Sequence, residues 1–454
     1  MKRKAALLLA LILTLLLPGC GGEGSVWQET PTAPQTNESL SVFCMGGLKD
    51  SKMIQVAMEQ YQSLYPEVEV ELTLSGPDDT LEMDDERYRQ MAAQVMAGEG
   101  PDVFIIDSYF MDVEKLVRQG IFADMEPYFE ADNFDWEPYN QAVMDGGVWN
   151  GKRFVIPLSY NFPLLFTTRS ALEETGFDVD ACGDFRGFLE EATRFLESEG
   201  RTRQLFYNPS WVTKTVTDSG LTIADYDART IGLSSPLLED IFQWRKTIIE
   251  MDPNCQGTFS GGLLGAADVR DGKALWASSL MGPLDGLYYN YGALKTLGKE
   301  LVMMPIRDIN GGIQAEIVYP VAVRANSENL QNAYHFIKLL LSPSVQYTYN
   351  WQELSVLDSA NEHFYNKLEG FNFAIAGTDG FTGLEDPYSG TDYPTWEEFE
   401  QVMGYTQEIT GTYYDRYLNR LGLYREMRPF EEEGADFEET LAEAQRQLER
   451  YITE

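Results

Sequence analysis

The side chains with the clearest chemistry in this sequence are aromatic rings and short polar groups at strand ends and in loops. Planar rings can stack on flat apolar faces of a small-molecule ligand, and short polar side chains can hydrogen-bond its polar groups. Ligands of α/β sheets bind beyond the carboxyl ends of the strands, which selects the residues after the first and third predicted strands. The predicted ligand-binding residues are Lys49, Asp50, Asp107, Ser108, Tyr109, Trp149, Tyr160, Asn161, Trp211, Trp276, Ser278, Tyr319 and Trp351.

Several of these residues have a structural alternative. Asp50 and Asp107 could cap the helices that follow them or carry surface charge. Trp276 could be ordinary strand packing, and Trp351 could be structural near a helix end. Both interpretations stay open from the sequence alone.

Catalytic motifs are not found in the chain. It contains no nucleophile elbow, HExxH motif, P-loop or cysteine-based metal cluster. A glycoside hydrolase is the enzyme alternative, because two carboxylates facing each other across a cleft suffice for that chemistry. With 72 acidic residues, candidate carboxylate pairs occur throughout the chain and do not distinguish a glycoside hydrolase from a binding protein. We therefore expect no catalytic residue, no metal site and no cofactor.

The N-terminus has the form of an export signal. Lys2, Arg3 and Lys4 precede an apolar run over residues 5–17, which is too short to cross a bilayer as a helix. The run ends in Leu-Pro-Gly-Cys20, which resembles the lipobox of bacterial lipoproteins. That resemblance implies cleavage of a signal peptide at residues 1–19 and a lipid on Cys20, with a plain secretory signal as the alternative.

Charge and length limit the partners and the architecture. The formal net charge is −38, and losing the three positive charges of Lys2, Arg3 and Lys4 would lower it to −41. Such a field repels nucleic acid and anionic lipid, so we expect no nucleic-acid partner and anchoring through the lipid alone. Residues 20–38 are polar and predict a flexible tether. The remaining chain exceeds one ordinary hydrophobic core, which predicts two lobes.

Strands and helices alternate along the chain. A predicted strand at residues 39–45, a helix at 52–65 and a half-exposed strand at 68–74 form the first unit. The continuous apolar run at 102–107 is typical of a parallel strand covered on both faces. This order predicts an α/β protein.

Five segments, in order along the chain, resemble one family, the sugar-type extracellular solute-binding proteins of ABC importers. They are residues 97–104 (AGEGPDVF), 116–125 (LVRQGIFADM), 150–161 (NGKRFVIPLSYN), 332–338 (NAYHFIK) and 442–452 (AEAQRQLERYI). Residues 181–185 and 202–232 depart from the family pattern, which leaves the ligand residues of the second lobe least defined.

The resemblance implies a two-lobed periplasmic-binding-protein-like fold of type II, with a hinge and a ligand cleft between the lobes. We expect one lobe at 39–155 plus about 274–316, and the other at 156–273 plus about 317–454. The implied function is capture of a carbohydrate, an oligosaccharide by expectation, by a monomeric lipoprotein outside the cell membrane and delivery to ABC permease subunits. A sensor partner and a peptide ligand are the alternatives.

Overall fold

The computed structural model describes residues 39–44, 52–74, 93–106 apart from 96 and 98, 111–198, 203–206, 214–251, 265–278, 282–287, 294, 300–348, 353–368, 394–414, 418 and 422–453. The predicted signal peptide and tether lie outside these residues.

The strands are β1 Ser39–Cys44, β2 Glu69–Leu74, β3 Val103–Ile105, β4 Val148–Trp149, β5 Lys152–Arg153, β6 Val155–Pro157, β7 Ser159–Asn161, β8 Leu164–Thr168, β9 Gln204–Phe206, β10 Ala224–Asp225, β11 Thr230–Ile231, β12 Ala274–Ser278, β13 Leu301–Pro305, β14 Ile313–Ile317, β15 Pro320–Val323, β16 Leu354–Ser355 and β17 Ile409–Tyr413.

The α-helices are α1 Lys52–Leu64, α2 Val113–Arg118, α3 Glu126–Asp132, α4 Gln141–Asp145, α5 Arg169–Thr175, α6 Phe185–Ser198, α7 Thr215–Asp218, α8 Pro236–Met251, α9 Gly265–Arg270, α10 Pro283–Gly286, α11 Leu330–Leu341, α12 Pro343–Gln346, α13 Asp358–Leu368, α14 Trp396–Thr406, α15 Tyr424–Glu433 and α16 Phe437–Thr453.

The first sheet has the strand order β2-β1-β3-β15-β6, with β1, β2 and β3 parallel and β15 and β6 antiparallel to their neighbours. All three residues of β3 are buried, as the continuous apolar run predicted. Helix α1 packs on this sheet through Met53, Ile54, Ala57 and Tyr61. The Tyr61 hydroxyl donates to the carbonyl oxygen of Asn332 in α11 at 3.1 Å, which joins the two helices.

The second sheet has the order β13-β8-β12-β9. One of its faces packs with α6, α8, α15 and α16 in a separate hydrophobic core. Arg245 in α8 and Glu431 in α15 form an ion pair of 2.5 Å within that core. A buried charge pair is tolerated only when both partners are well bonded, so this contact fixes how the two helices pack.

A third sheet connects the first two, and we call it the crossover sheet. Its order is β16-β7-β14-β17. The chain passes from the first sheet through β6, β7 and β8 into the second, and returns through β13, β14 and β15. Because β7 and β14 pair antiparallel in the middle, the two passages support each other.

The α/β, two-lobed architecture is therefore as expected, but two segments belong to other lobes than predicted. Strands β12 and β13, expected in the first lobe, pair with β8 in the second sheet. Strand β15, expected in the second lobe, pairs with β3 in the first sheet. For β15, the reason is that β14 and β15 are separated by only two residues, so the sequence does not show that the chain changes sheet between them.

Within the described ranges, no helix combines the length and the apolar character that crossing a membrane requires. Cys44 is buried in β1 as a small core residue. Cys182 is buried as a free thiol that contacts the carbonyl oxygen of Asp178.

Candidate ligand-binding site

The polar face of the crossover sheet is the centre of the candidate site. Register pairs Glu316 of β14 with Asn161 of β7 on one side and with Tyr413 of β17 on the other. Directly paired residues point to the same face of a sheet. Asn161, Glu316 and Tyr413 therefore form one polar row across three strands.

The opposite face of the same sheet is apolar. There Tyr160 pairs with Ile317 and Leu354, and all three side chains are fully buried in the first hydrophobic core. The strict alternation of strand residues separates the two faces. One face of the crossover sheet thus packs on the first hydrophobic core, and the other face carries polar side chains.

Helix α7, from the second lobe, covers part of this polar face. The Lys214 ammonium lies 2.7 Å from Oε2 of Glu316, and the Tyr413 hydroxyl donates to Oδ1 of Asp218 at 3.1 Å. Glu316 and Asp218 are almost completely buried, whereas the Lys214 side chain keeps 28% of its surface exposed. We call Asn161, Lys214, Asp218, Glu316 and Tyr413 the crossover polar cluster.

The second lobe holds α7 in place by its own contacts. Val216 belongs to the second hydrophobic core, and its backbone N–H donates to the Tyr424 hydroxyl at 3.1 Å. The backbone N–H of Ile309 donates to the carbonyl oxygen of Ser219 at 3.1 Å. Because Lys214 and Asp218 come from the second lobe and Glu316 from the crossover, the cluster is assembled from both sides of the lobe boundary.

Trp149 presents an aromatic ring near the same crossover. It lies half-buried on the short hairpin of β4 and β5, with its ring centroid 5.9 Å from that of Tyr414. The Tyr414 hydroxyl donates to the carbonyl oxygen of Gly146 at 3.1 Å, and burial holds the pKa of this phenol well above its usual range. The ring of Trp149 is thus backed by a neutral, fixed tyrosine.

Two glycines allow this close packing. A Cβ on Gly147 would overlap the carbonyl oxygen of Val155, and a Cβ on Gly146 would overlap Oγ1 of Thr412 in β17. A larger residue at Gly146 would push the end of α4 away from the crossover sheet, and one at Gly147 would push the start of the hairpin away from β6 of the first sheet. The Gly-Gly pair therefore sets the position of Trp149.

Two further predicted residues are placed where a ligand could reach them. Ser278 lies at the carboxyl end of β12, opposite Leu165, and is partly exposed as a residue, although its hydroxyl oxygen is buried. Tyr319 is half-buried between β14 and β15, and its carbonyl oxygen accepts from the Leu158 backbone N–H at 3.0 Å. Both positions agree with the general rule for ligands of α/β sheets.

Tyr160 and Trp276 leave the proposed ligand-binding set, because both rings are buried inside hydrophobic cores. Tyr160 is the neighbour of Asn161 and so faces the other side of the strand, where its hydroxyl lies 3.5 Å from Nδ2 of Asn140. Trp276 lies in the second core with its ring 5.5 Å from that of Phe177. Neither ring has a face left for a ligand.

The other predicted residues, Cys20, Lys49, Asp50, Asp107, Ser108, Tyr109, Trp211 and Trp351, lie outside the described residues. Their assignment stays a prediction.

Sequence reasoning missed Lys214, Asp218, Glu316 and Tyr413. The available signal was Glu316, a carboxylate inside an otherwise apolar strand, since a buried charge needs a partner. Among the described residues, no group of three or more His, Cys, Asp or Glu side chains could hold a metal ion. The cluster offers hydrogen-bond donors and acceptors suited to hydroxyl groups.

A family model for bacterial extracellular solute-binding proteins matches residues 47–347, which is more than half of the chain. The chain belongs to the bacterial extracellular solute-binding protein family. Membership agrees with the resemblance found in the five sequence segments, and it implies an extracytoplasmic location and a binding role alongside ABC permeases. No curated protein matches the sequence.

Solved structures of solute-binding proteins share the fold. The sugar-binding protein MalE from Xanthomonas citri is similar with a TM-score of 0.60 and 13% identity, over 91% of this chain and 97% of that one. A periplasmic oligogalacturonide-binding protein from Yersinia enterocolitica gives 0.59 and 13%, over 91% and 99%. An ABC substrate-binding protein from Listeria monocytogenes in complex with cycloalternan gives 0.57 and 13%, over 91% and 99%.

Proposed function

We propose that this solute-binding protein captures an oligosaccharide in the cleft between its lobes and delivers it to the permease subunits of an ABC importer. The observation that carries the proposal is the polar row on the crossover sheet, with the half-buried ring of Trp149 near the same crossover. A ring for stacking and several hydrogen-bonding groups are what a sugar requires. The sugars named for the similar structures support this ligand class.

The proposed binding residues come from three parts of the chain. The crossover contributes Asn161, Glu316, Tyr319 and Tyr413, and the second lobe contributes Lys214, Asp218 and Ser278. Trp149 supplies the stacking surface. From the sequence we add Lys49, Asp50, Asp107, Ser108, Tyr109, Trp211 and Trp351, which follow strands or lie in loops.

The charge of the crossover polar cluster restricts the ligand. It contains two buried carboxylates, Asp218 and Glu316, and one ammonium, Lys214. A ligand carboxylate brought into this environment would meet two acidic side chains at short range, in a chain that is strongly acidic overall. The cluster therefore favours a neutral polyhydroxylated ligand over a uronate or a peptide with a free carboxylate.

We propose no catalytic activity for the protein, since the family role is binding.

The lipid anchor on Cys20 is part of the proposal and holds the receptor at the outer face of the cell membrane. There the protein delivers its ligand as a monomer. Replacing Cys20 with Ser should release the protein from membranes and abolish incorporation of labelled palmitate.

A thermal-shift panel tests the ligand class. The panel holds maltotetraose, cellotetraose, xylotetraose, trigalacturonate, a neutral tetrapeptide and spermidine. We expect at least one neutral oligosaccharide to raise the melting temperature without being hydrolysed on prolonged incubation. A shift with the peptide or spermidine alone would refute the sugar assignment, and hydrolysis of the bound sugar would establish the glycoside hydrolase instead. Copurification with a histidine-kinase-type sensor in place of permease subunits would establish the sensor alternative.

A further inference from the structure

Helix α2 contacts the second lobe through one face. Its N-cap residue Asp112 accepts hydrogen bonds at Oδ2 from the hydroxyls of Tyr226 at 2.7 Å and Tyr451 at 2.9 Å. The other carboxylate oxygen, Oδ1, accepts the backbone N–H of Lys115 at 3.0 Å and so caps the helix. One carboxylate thus starts α2 and bridges two tyrosines.

Asp112 lies in the first lobe, whereas its two tyrosine partners lie in the second. Helix α2 packs into the first lobe through Val113, Leu116 and Val117. Tyr226 follows β10 and is buried in the second core, and Tyr451 on α16 packs against that core. The hydrogen bonds of Asp112 therefore connect the two lobes away from the crossover sheet.

Two more contacts extend this connection along α2. The Lys115 ammonium donates to the carbonyl oxygen of Tyr451 at 2.7 Å and lies 3.9 Å above the centre of its ring. The Arg118 guanidinium pairs with Asp227 at 2.7 Å. Asp112, Lys115 and Arg118 are three residues apart and so share one helix face. We call these residues, with Tyr226, Asp227 and Tyr451, the interlobe latch.

The latch joins the two lobes in this structure. Separating them would expose a carboxylate that is now buried and would remove both tyrosine hydroxyls from it. Hydrogen bonds to a charged acceptor are among the stronger ones in proteins. Burial raises the pKa of Asp112, while the hydrogen bonds from Tyr226, Lys115 and Tyr451 act in the opposite direction.

We propose that the interlobe latch stabilises the closed form of the protein independently of ligand and thereby sets its affinity for the ligand. The proposal rests on the proposed function, because it concerns closure of the same cleft. When only a fraction of the protein is in the closed form, its apparent affinity for the ligand is reduced by that fraction.

Small-angle X-ray scattering on the mature chain, residues 20–454 with Cys20→Ser, tests the latch without any ligand. The test variant is Tyr226→Phe with Tyr451→Phe, which removes two hydroxyls. The matched control is Tyr334→Phe, because the Tyr334 hydroxyl donates to Asp132 at 2.7 Å within the first lobe. We expect a larger radius of gyration for the double variant alone.

Affinity provides the second readout. For the oligosaccharide of the panel that binds best, the double variant should bind roughly 10- to 100-fold more weakly, and excess sugar should restore the wild-type radius. The exposed variant Asp227→Asn should give a smaller change in the same direction and cannot fail through misfolding of a core. An unchanged radius and affinity in both variants would overturn the latch. If the double variant expands but neither it nor the wild type binds any sugar, the carbohydrate function is refuted and the latch is still supported.

Discussion

Asp102 is the residue that holds the start of β3 in place. Its carboxylate accepts hydrogen bonds from the backbone N–H of Ser41 at 2.9 Å, the hydroxyl of Ser327 at 2.6 Å and Nδ2 of Asn329 at 3.0 Å. Burial raises the pKa of Asp102, but the hydrogen bonds from Ser327, Ser41 and Asn329 outweigh it and hold the pKa below its usual range. One side chain thus joins β1, β3 and the segment that leads into α11.

Replacing Asp102 with Asn should destabilise the protein by about 2–4 kcal/mol, because an amide group would face donors that need an acceptor. Chemical denaturation measures the loss. The exposed Asp180→Asn is the control and should change the unfolding free energy by less than about 0.5 kcal/mol. Since the folded pKa is the lower one, the contribution of Asp102 is complete above its unfolded pKa near 4 and fades as the pH falls below it. A wild-type advantage that persisted unchanged into strong acid would contradict this account.

Gly147 is required where the hairpin of β4 and β5 meets β6 of the first sheet. Gly147→Ala should cost about 1–3 kcal/mol or more, since its Cβ would overlap the carbonyl oxygen of Val155. Gly404→Ala in the interior of α14 has open space and should stabilise by about 0.5–1 kcal/mol. Thermal unfolding of the two variants decides the point. Equal melting temperatures would mean that the hairpin can move aside freely.

At the scale of elements, the crossover sheet shows why sequence reasoning identified only part of the site. Tyr160 and Asn161 are neighbours in a segment that resembles the family, and both were predicted to bind ligand. Strand alternation sends Asn161 to the polar face and Tyr160 into the core. The sequence shows that a strand is there, but the side that faces the cleft depends on pairing with β14, which is more than 150 residues away.

The charge of Glu316 should determine which sugars bind. Glu316→Gln removes one of the two buried carboxylates, so affinity for neutral oligosaccharides should fall roughly tenfold while trigalacturonate gains relative to them. Isothermal titration of both ligands measures the ratio. Glu300→Gln is the control, because Glu300 forms an exposed ion pair with Arg169 on the surface. An unaltered ratio in Glu316→Gln would show that the cluster does not meet the ligand.

Helix α11 carries a buried histidine that makes stability depend on pH. Burial and, to a lesser degree, the charge of Lys338 lower the pKa of His335 to about 4. The unfolded chain therefore takes up a proton first as the pH falls below about 6.5, and the stability that is complete above this pH declines toward pH 4.

His335→Gln should flatten this decline, which denaturant titrations at about pH 7 and pH 5 would measure. The comparison variant is His363→Gln, the other of the two histidines in the chain. It should leave the contribution of His335 to this dependence in place. If both variants lost the same stability between the two pH values as the wild type, His335 would not be the titrating group.

At the scale of the molecule, the family and the α/β architecture could be predicted because they depend on local signals. Segments such as 97–104 and 116–125 carry strand entries and helix ends that short-range pattern specifies. The exchange of β12, β13 and β15 between lobes could not be predicted, because apolar strands of similar length fit either sheet. The interlobe latch could not be predicted either, because Asp112 contacts Tyr226 and Tyr451 across more than 100 residues of sequence.

The central claim is that the cleft of this solute-binding protein holds a carbohydrate against Trp149 without changing it. Isothermal titration of the best oligosaccharide of the panel tests it most directly, on wild type, Trp149→Ala and the surface variant Trp396→Ala. We predict saturable binding to wild type and Trp396→Ala, binding roughly tenfold weaker or more to Trp149→Ala, and recovery of intact sugar. Equal affinity in all three proteins, or no heat of binding with any oligosaccharide, would contradict the account.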